Sequence, residues 1–578
     1  MPVASNISYG YIQDSFDIEI ILIGMWTKKY KYMKLIFFYL PIVTLLCACS
    51  AKKQADLVVY NAKVYTVDGS FSVVEAFAVK DGKILQTGSS TDIQAAYNGK
   101  EVLDVGGKAV YPGFIDGHSH FFQYGVTLQQ VDLTGTASWQ EVLQRLIEFS
   151  KTNEGGWLIG RGWDQNDWTE KQFPTNSALD SLFPGRPVFL TRIDGHAAIA
   201  NTAAIKTADL KAGQQLTGGD IVTFDGKLTG LLVDNAVDLV SEKIPSGTAI
   251  QVKAAVLAAQ QNCFAVGLTS VTDCGLDHEA VDFIDSLQKQ KELKMRMYVM
   301  LSDKPVNYDY LFAKGAIKTD RLNVRSFKVY ADGALGSRGA CLLQPYSDRD
   351  NHRGFLLNDK KHFQEVAEKI FNKGFQMCTH AIGDSANREI LNIYAKVLRG
   401  RNDRRWRIEH AQVISPQDFA QFGKFSIIPS VQSTHATSDM YWAGERLGKE
   451  RIKGAYANKQ LMKQNGWLVL GTDFPVEEID PVLTFNSAVF RKDKKGYPNN
   501  GFQMENALTR EEALRGMTIW AARGSFEENE KGSIEKGKFA DFVILDEDIM
   551  KVSREKVLKV KVIKTYLNGD KVYEKKNY

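Results

Sequence analysis

The chain has 578 residues, 72 Lys and Arg against 68 Asp and Glu, and a formal net charge of +4. That length exceeds one ordinary domain, and 44% hydrophobic residues suffice to build buried cores. The balanced charge, without a long single-sign block, excludes a polyanion binder, so no nucleic-acid partner is assigned.

Residues 1–49 read as a leader, with Met33 as the true start. Lys28, Lys29, Lys31 and Lys34 precede the apolar run from Leu35 to Leu46, which has signal-peptide length and is short for a membrane span. Leu46-Cys47-Ala48-Cys49 is similar to a bacterial lipobox, with Cys49 as the residue to be lipidated, although Cys47 departs from the small residue common at its place. The expectation is a protein of the bacterial cell envelope, on the periplasmic or outer-surface side, tied to a membrane by a lipid; a short anchor helix is the alternative. Past the leader only Cys263, Cys274, Cys341 and Cys378 remain, too sparse for a disulfide framework.

Asp56 to Val67 and Ala76 to Leu85 are short β-rich runs, the second with a tight Asp81-Gly82 turn. Near the other end, Ala540 to Leu545 and Leu558 to Leu567 also read as strands, with Asn568-Gly569 as a turn. The spacing predicts one small β-sandwich domain from 50–112 and 525–578, and the lysine alternation reads as the solvated face of a strand.

Between these ends, Phe114-Ile115-Asp116-Gly117-His118-Ser119-His120 is an apolar strand running into two histidines one residue apart. Residues i and i+2 of a strand point to one side, so His118 and His120 present two imidazoles to one point, as a transition metal requires. Phe375 to Thr379 then ends at His380, Arg407-Ile408-Glu409 ends at His410, and Trp467 to Thr472 ends at Asp473. Helix-like stretches lie at His362 to Lys373 and Ser385 to Leu398, with apolar residues three and four apart. This alternation predicts an α/β fold, a (β/α)8 TIM barrel over 113–524, with chemistry at the C-terminal strand ends and an insertion at about 121–260.

In that insertion, Trp157, Trp163 and Trp168 form an aromatic-rich stretch around Asp164. Trp157 reads as core, whereas Trp163 and Asp164, beyond the apolar run, are candidates for the wall of a substrate pocket. Lys328, in Ser326 to Gly333, sits in mid-strand, an unusual place for a charged ammonium unless it is paired or chemically altered.

The order His118-x-His120, Lys328, His380, His410, Asp473 resembles the amidohydrolase superfamily. The stretches Lys328 to Ala340, Thr379 to Asp384, Ile408 to Ala411 and Gly471 to Pro475 are similar to its amidohydrolase-3 branch, which includes N-substituted formamide deformylases, and the likeness spans roughly residues 55 to 570. The resemblance implies two divalent metal ions held by His118, His120, Lys328, His380, His410 and Asp473, with Lys328 carboxylated by CO2 into a bridging anion. Zinc suits this donor set, and iron, manganese and nickel suit it too. A plain lysine paired with Asp332 or a neighbouring carboxylate is the alternative. The implied reaction is hydrolysis of a non-peptide carbon-nitrogen bond, in an amide, formamide or cyclic amide, by a metal-activated hydroxide. Lowering a water pKa from 15.7 to about 7 contributes on the order of 12 kcal/mol. Asp473 would then carry the proton to the leaving nitrogen.

His196 and His435 match family positions that face the active site, and both are substrate-binding candidates, although Ser433 stands where the family pattern commonly has proline. Arg338, in the Gly-rich stretch after Lys328, either holds a polar group of the substrate or is an ordinary surface arginine. The partner expected is a small amide-type molecule, with oligomeric state open. The alternative functions are a lipid-anchored binding protein that keeps the fold without catalysis, or a metal-dependent esterase or isomerase.

Overall fold

The computed structural model describes residues 52–153 and 155–576, so the leader, Met33 and Cys49 lie outside the described residues. Eight parallel strands pair in chain order: β1 (Phe114–Ser119), β2 (Leu268–Leu276), β3 (Arg296–Ser302), β4 (Leu322–Tyr330), β5 (Gln376–Ala381), β6 (Arg407–His410), β7 (Ile428–Val431) and β8 (Val469–Leu470). The sheet curls until its ends meet. The Asp473 amide donates to the His118 carbonyl at 2.8 Å, and the His120 amide donates to the Phe474 carbonyl at 2.9 Å. Gly471 permits this approach, because a Cβ there would lie 2.4 Å from the His118 backbone nitrogen. Helices in the crossovers complete a (β/α)8 barrel.

The two helices expected from periodicity span Lys360–Asn372 and Asp384–Leu398. The first begins where the Asp359 carboxylate accepts the His362 amide at 2.7 Å, and it buries Phe363, Val366, Ala367 and Ile370, three or four residues apart. No helix among the described residues is long and apolar enough to cross a membrane.

Between β1 and β2 the chain builds a separate six-stranded sheet, ordered Gly219–Phe224, Lys227–Asp234, Ala197–Ala200, Val188–Arg192, Leu158–Trp163, Val131–Asp132. The helix Trp139–Ser150 packs on it over a core that includes Leu146, Leu158, Trp163, Trp168 and Leu190.

The chain ends form two further sheets. One carries Lys53–Tyr60, Ala76–Lys80, Lys83–Gly88 and Tyr97–Asp104. The other joins Lys63–Tyr65, Val73–Val74 and Ala109–Pro112 to the C-terminal strands Phe542–Leu545, Val562–Leu567 and Asp570–Glu574. Leu57, Val59 and Phe77 from the first share a core with Val64, Val110, Phe542, Ile544 and Tyr566 from the second, as in a sandwich. Asp81-Gly82 and Asn568-Gly569 both have positive φ, as tight hairpin turns of this kind require. The run from Leu558 to Leu567 departs from expectation. Its strand starts only at Val562, because the preceding residues form the short helix Arg554–Val557 and a turn that buries Val557 and Val560, three residues apart.

Candidate metal centre

The C-terminal mouth of the barrel opens on a cavity of about 1330 Å³, lined by His120, His196, Lys328, His380, His410, His435 and Asp473 among others. Asp473 is the hub. Its Oδ1 lies 3.4 Å from His118 Nε2 and 3.2 Å from His120 Nε2, and its Oδ2 lies 3.5 Å from His435 Nε2. Two groups of ligand atoms result, His118 with His120 and Asp473, and His410 with His435 and Asp473, joined by the shared carboxylate. His410 and Asp473 both adopt φ in the left-handed region, 71° and 64°, so β6 and the segment after β8 bend sharply where they deliver these side chains.

The imidazoles are held from behind. His118 Nδ1 lies 2.5 Å from Glu409 Oε2, His410 Nδ1 2.8 Å from Gln432 Oε1, His435 Nδ1 2.9 Å from Glu477 Oε1, and His196 Nδ1 2.6 Å from Asp234 Oδ1. Each contact fixes one ring nitrogen and leaves Nε2 for the cavity, the arrangement typical of metal-ligating histidines. His380 Nε2 and Asp473 Oδ1 are buried without any hydrogen-bond partner. Unpaired acceptors of this sort ask for a cation, and the nitrogen and oxygen donors suit a divalent transition metal. These residues fit a metal ion. His380, its ring 4.5 Å from that of His410, belongs to neither of the two groups, whereas His435, read from sequence as a substrate contact, belongs to one.

Lys328 is fully buried with Nζ 3.3 Å from His118 Nε2, and among the described residues no carboxylate forms an ion pair with it. The alternative pairing with Asp332 is not adopted. That carboxylate instead accepts the Cys341, Ile382 and Gly383 amides at 2.8 to 2.9 Å, and burial pushes its pKa up to about 7 despite those bonds. Burial pushes His120 down to about 4, against the pull of Asp473, which keeps it a neutral donor. Burial would also depress His435, but Asp473 and Glu477 outweigh it and hold His435 up at about 10.

The amidohydrolase family model matches residues 101–573. The chain belongs to the amidohydrolase family. It is 31% identical to Protein LONG AFTER FAR-RED 3 of Arabidopsis thaliana, over 90% of this chain and 92% of that protein. It is 28% identical to the N-substituted formamide deformylase of Arthrobacter pascens, over 90% of this chain and 99% of that enzyme. The crystal structure of an uncharacterized metal-dependent hydrolase from Pyrococcus horikoshii OT3 superimposes with a TM-score of 0.70 at 28% identity, covering 86% of this chain and 99% of that one.

The six residues that the sequence named as ligands stand together at this mouth, but the groups that support them were not read from sequence. Arg407 and Glu409 are wholly buried and paired, Nε to Oε1 at 2.6 Å, and Arg407 Nη2 also donates to the Gly117 carbonyl at 2.6 Å and to Ser430 Oγ at 2.7 Å. Two charges of opposite sign two residues apart in a buried strand were the available signal. Arg161, Arg192, Asp194 and Asp234 also line the cavity, and all four were missed. Asp164 and His196 do line it. Ser433, at the family's proline position, is buried and accepts from Asn458 Nδ2 at 3.0 Å, at the start of the helix Ser433–Asp439 that carries His435.

Two expectations need correction. Trp163 lies in the insertion's own core, fully buried, its indole N–H donating to the Leu190 carbonyl at 2.8 Å, and it does not line the cavity. Arg338 is turned to Asp348, Nη2 to Oδ2 at 2.8 Å, and only Ala334, Leu335 and Gly336 of its segment reach the cavity wall.

Proposed function

We propose that the protein is a metal-dependent hydrolase of a non-peptide carbon-nitrogen bond, in an amide, formamide or cyclic amide. The observation that carries this reading is Asp473, a buried carboxylate shared by two histidine clusters and facing a large cavity. Membership of the amidohydrolase family and the named activity of the Arthrobacter relative support it. When bound, one or two divalent ions supply Lewis acidity and bring the pKa of water toward about 7.

The protein's own groups do the rest. His118, His120, His380, His410 and Asp473 would hold the metal, with His435 beside them. Asp473 accepts the proton of the attacking water. Water oxygen joins the carbonyl carbon, the carbon-nitrogen bond breaks, and the same carboxyl returns its proton to the leaving nitrogen, giving a carboxylic acid and an amine. His196, fixed by Asp234, turns its Nε2 to the cavity and can orient the substrate by a hydrogen bond. Lys328, buried without a carboxylate partner and with its pKa raised despite burial, would first lose a proton; neutral Nζ would then bond to the carbon of CO2, a second proton would leave, and the resulting carbamate would be an anionic oxygen donor suited to a metal. Bicarbonate-dependent metal uptake checks this step.

Metal analysis of purified protein followed by a screen of N-formyl and N-acyl amides tests the reading. Asp473→Asn should lower kcat by roughly 10²- to 10⁴-fold with metal still bound. Near-normal turnover of a metal-loaded Asp473→Asn enzyme removes the assigned role. We also infer, from the leader alone, a lipid on Cys49 that anchors the enzyme to a membrane; labelled fatty acid should be incorporated by the parent chain and not by Cys49→Ala.

A further inference from the structure

Four arginine and lysine side chains line the cavity: Arg161, Arg192, Lys304 and Lys328. Arg192 is committed, with Nε donating to Gln165 at 2.8 Å, Nη1 to Asp194 at 2.5 Å and Nη2 to Asp164. Lys304 binds Asp277 at 2.7 Å, and Lys328 stands beside His118. Arg161 differs from all three. One of its five N–H groups donates to the Ile193 carbonyl at 2.9 Å, its Nε is buried without a partner, and among the described residues no carboxylate forms an ion pair with it. Of the carboxylates around it, Asp164 and Asp194 are already taken by Arg192, and Asp132, its cross-strand partner, accepts the Thr134 amide at 2.9 Å.

The position of this guanidinium is built. Gly162, at φ 113°, forms a bulge in the strand Leu158–Trp163, and the register shift between Arg161 and Trp163 puts Trp163 into the core while Arg161 turns to the cavity. The fork packs against Gly195, where a Cβ would lie 3.4 Å from both terminal nitrogens. The next residue, His196, has its ring 5.1 Å from that of His380. The fork and the histidine cluster therefore belong to one chamber, linked by a single turn.

We infer that Arg161 anchors a carboxylate carried by the substrate, so that the substrate class is an N-acyl or N-formyl compound with a second, anionic group. This rests on the hydrolase reading above and specifies its substrate. A planar fork with free N–H groups matches a carboxylate in two parallel hydrogen bonds, and a low-dielectric wall strengthens them. The lining carboxylates are numerous and repel an anion, but Asp164 and Asp194 are neutralised by Arg192 and Asp234 by His196, which among the described residues leaves Arg161 as the one lining arginine free to receive a carboxylate. A cavity of about 1330 Å³ also exceeds what a simple formamide fills.

The test uses the metal-loaded full chain and calorimetric titration with N-formylphenylalanine and its uncharged partner N-formylphenylalaninamide. The acid should bind roughly tenfold to hundredfold more tightly than the amide. Arg161→Met should erase that ratio, and Arg161→Lys, which keeps the charge but loses the fork, should keep part of it. Because the amide reports on the same pocket, a misfolded variant is recognised by loss of both ligands. Equal affinities in the parent chain, no binding of either probe, or a ratio unchanged in Arg161→Met overturns the inference. Turnover separates it from the parent reading. A preference abolished by Arg161→Met without hydrolysis of either probe removes the hydrolase and keeps the anion site, whereas hydrolysis without preference does the reverse.

Discussion

Two buried arginine-carboxylate pairs stand at opposite ends of the barrel. Arg407 and Glu409 lie on β6 beneath the histidines; Arg296 opens β3 at the other end and meets Asp541 through Nε at 2.6 Å and Nη2 at 3.0 Å. The second pair is closed upon itself. Arg296 also donates to the Asp320 carbonyl and the Asn568 side chain, Asp541 also accepts the Asn568 amide at 2.9 Å, and the Phe539 ring covers the guanidinium at 3.7 Å. The first pair leads outward, because Glu409 ends on His118 Nδ1 and His118 turns its other nitrogen to the cavity cluster. Burial and pairing are the same in both. What separates a structural clasp from a working one is whether the chain of contacts ends in a satisfied group or in a free acceptor.

Mutating the two pairs separates them most sharply. Breaking either should cost about 3–5 kcal/mol of stability, because an uncompensated buried charge remains. Glu409→Gln should in addition lower metal affinity or activity of the folded fraction by roughly 10- to 100-fold, since the orientation and basicity of His118 depend on that carboxylate. Asp541→Asn should lower the melting temperature alone, leaving kcat/KM per bound metal as in the parent. Metal content, melting temperature and kcat/KM on both variants decide it. A Glu409→Gln protein with parental metal affinity and turnover would erase the distinction.

The sequence announced the open end of the barrel better than the closed one. His118, His120, His380, His410 and Asp473 are conspicuous because each interrupts an apolar run at a strand end, where packing alone has no use for an imidazole or a carboxylate. Glu409 stood next to one of them and passed as part of the run. The clasp of Arg296 and Asp541 was illegible, because its partners lie 245 residues apart and nothing local marks their pairing. Trp163 shows a different limit. It was placed at the pocket because it stands beyond the apolar run, and in a regular strand it would share a face with Arg161. The bulge at Gly162 exchanges the faces, so the tryptophan enters the core and the arginine takes the wall. Arg338 was a choice between pocket and surface that only the position of Asp348 could decide.

A partly exposed carboxylate in the sandwich gives the smallest expected effect and sharpens the same contrast. Asp548 accepts from Lys63 Nζ at 2.6 Å, from the Tyr65 and Tyr111 hydroxyls at 2.9 Å each, and from the Met550 amide at 2.9 Å. Burial alone would raise its pKa, but these donors together hold it below 3.8. With the folded value depressed, the contribution is fully present above the unfolded pKa of about 3.9 and is lost as pH falls through the folded value. Lys63 is 38% exposed, which screens its share, so Asp548→Asn should cost only about 1 kcal/mol at pH 7. The gap in melting temperature between parent and Asp548→Asn should therefore narrow as pH drops below about 4, while turnover at pH 7 stays the same. Titration of the carboxylates around the metal centre affects both proteins equally and cancels in that difference. A gap that is constant from pH 7 to pH 3 means that Asp548 works through shape and not charge, and the closed arrangements of this fold would then owe their stability to packing, unlike the charge-linked chain beneath the histidines.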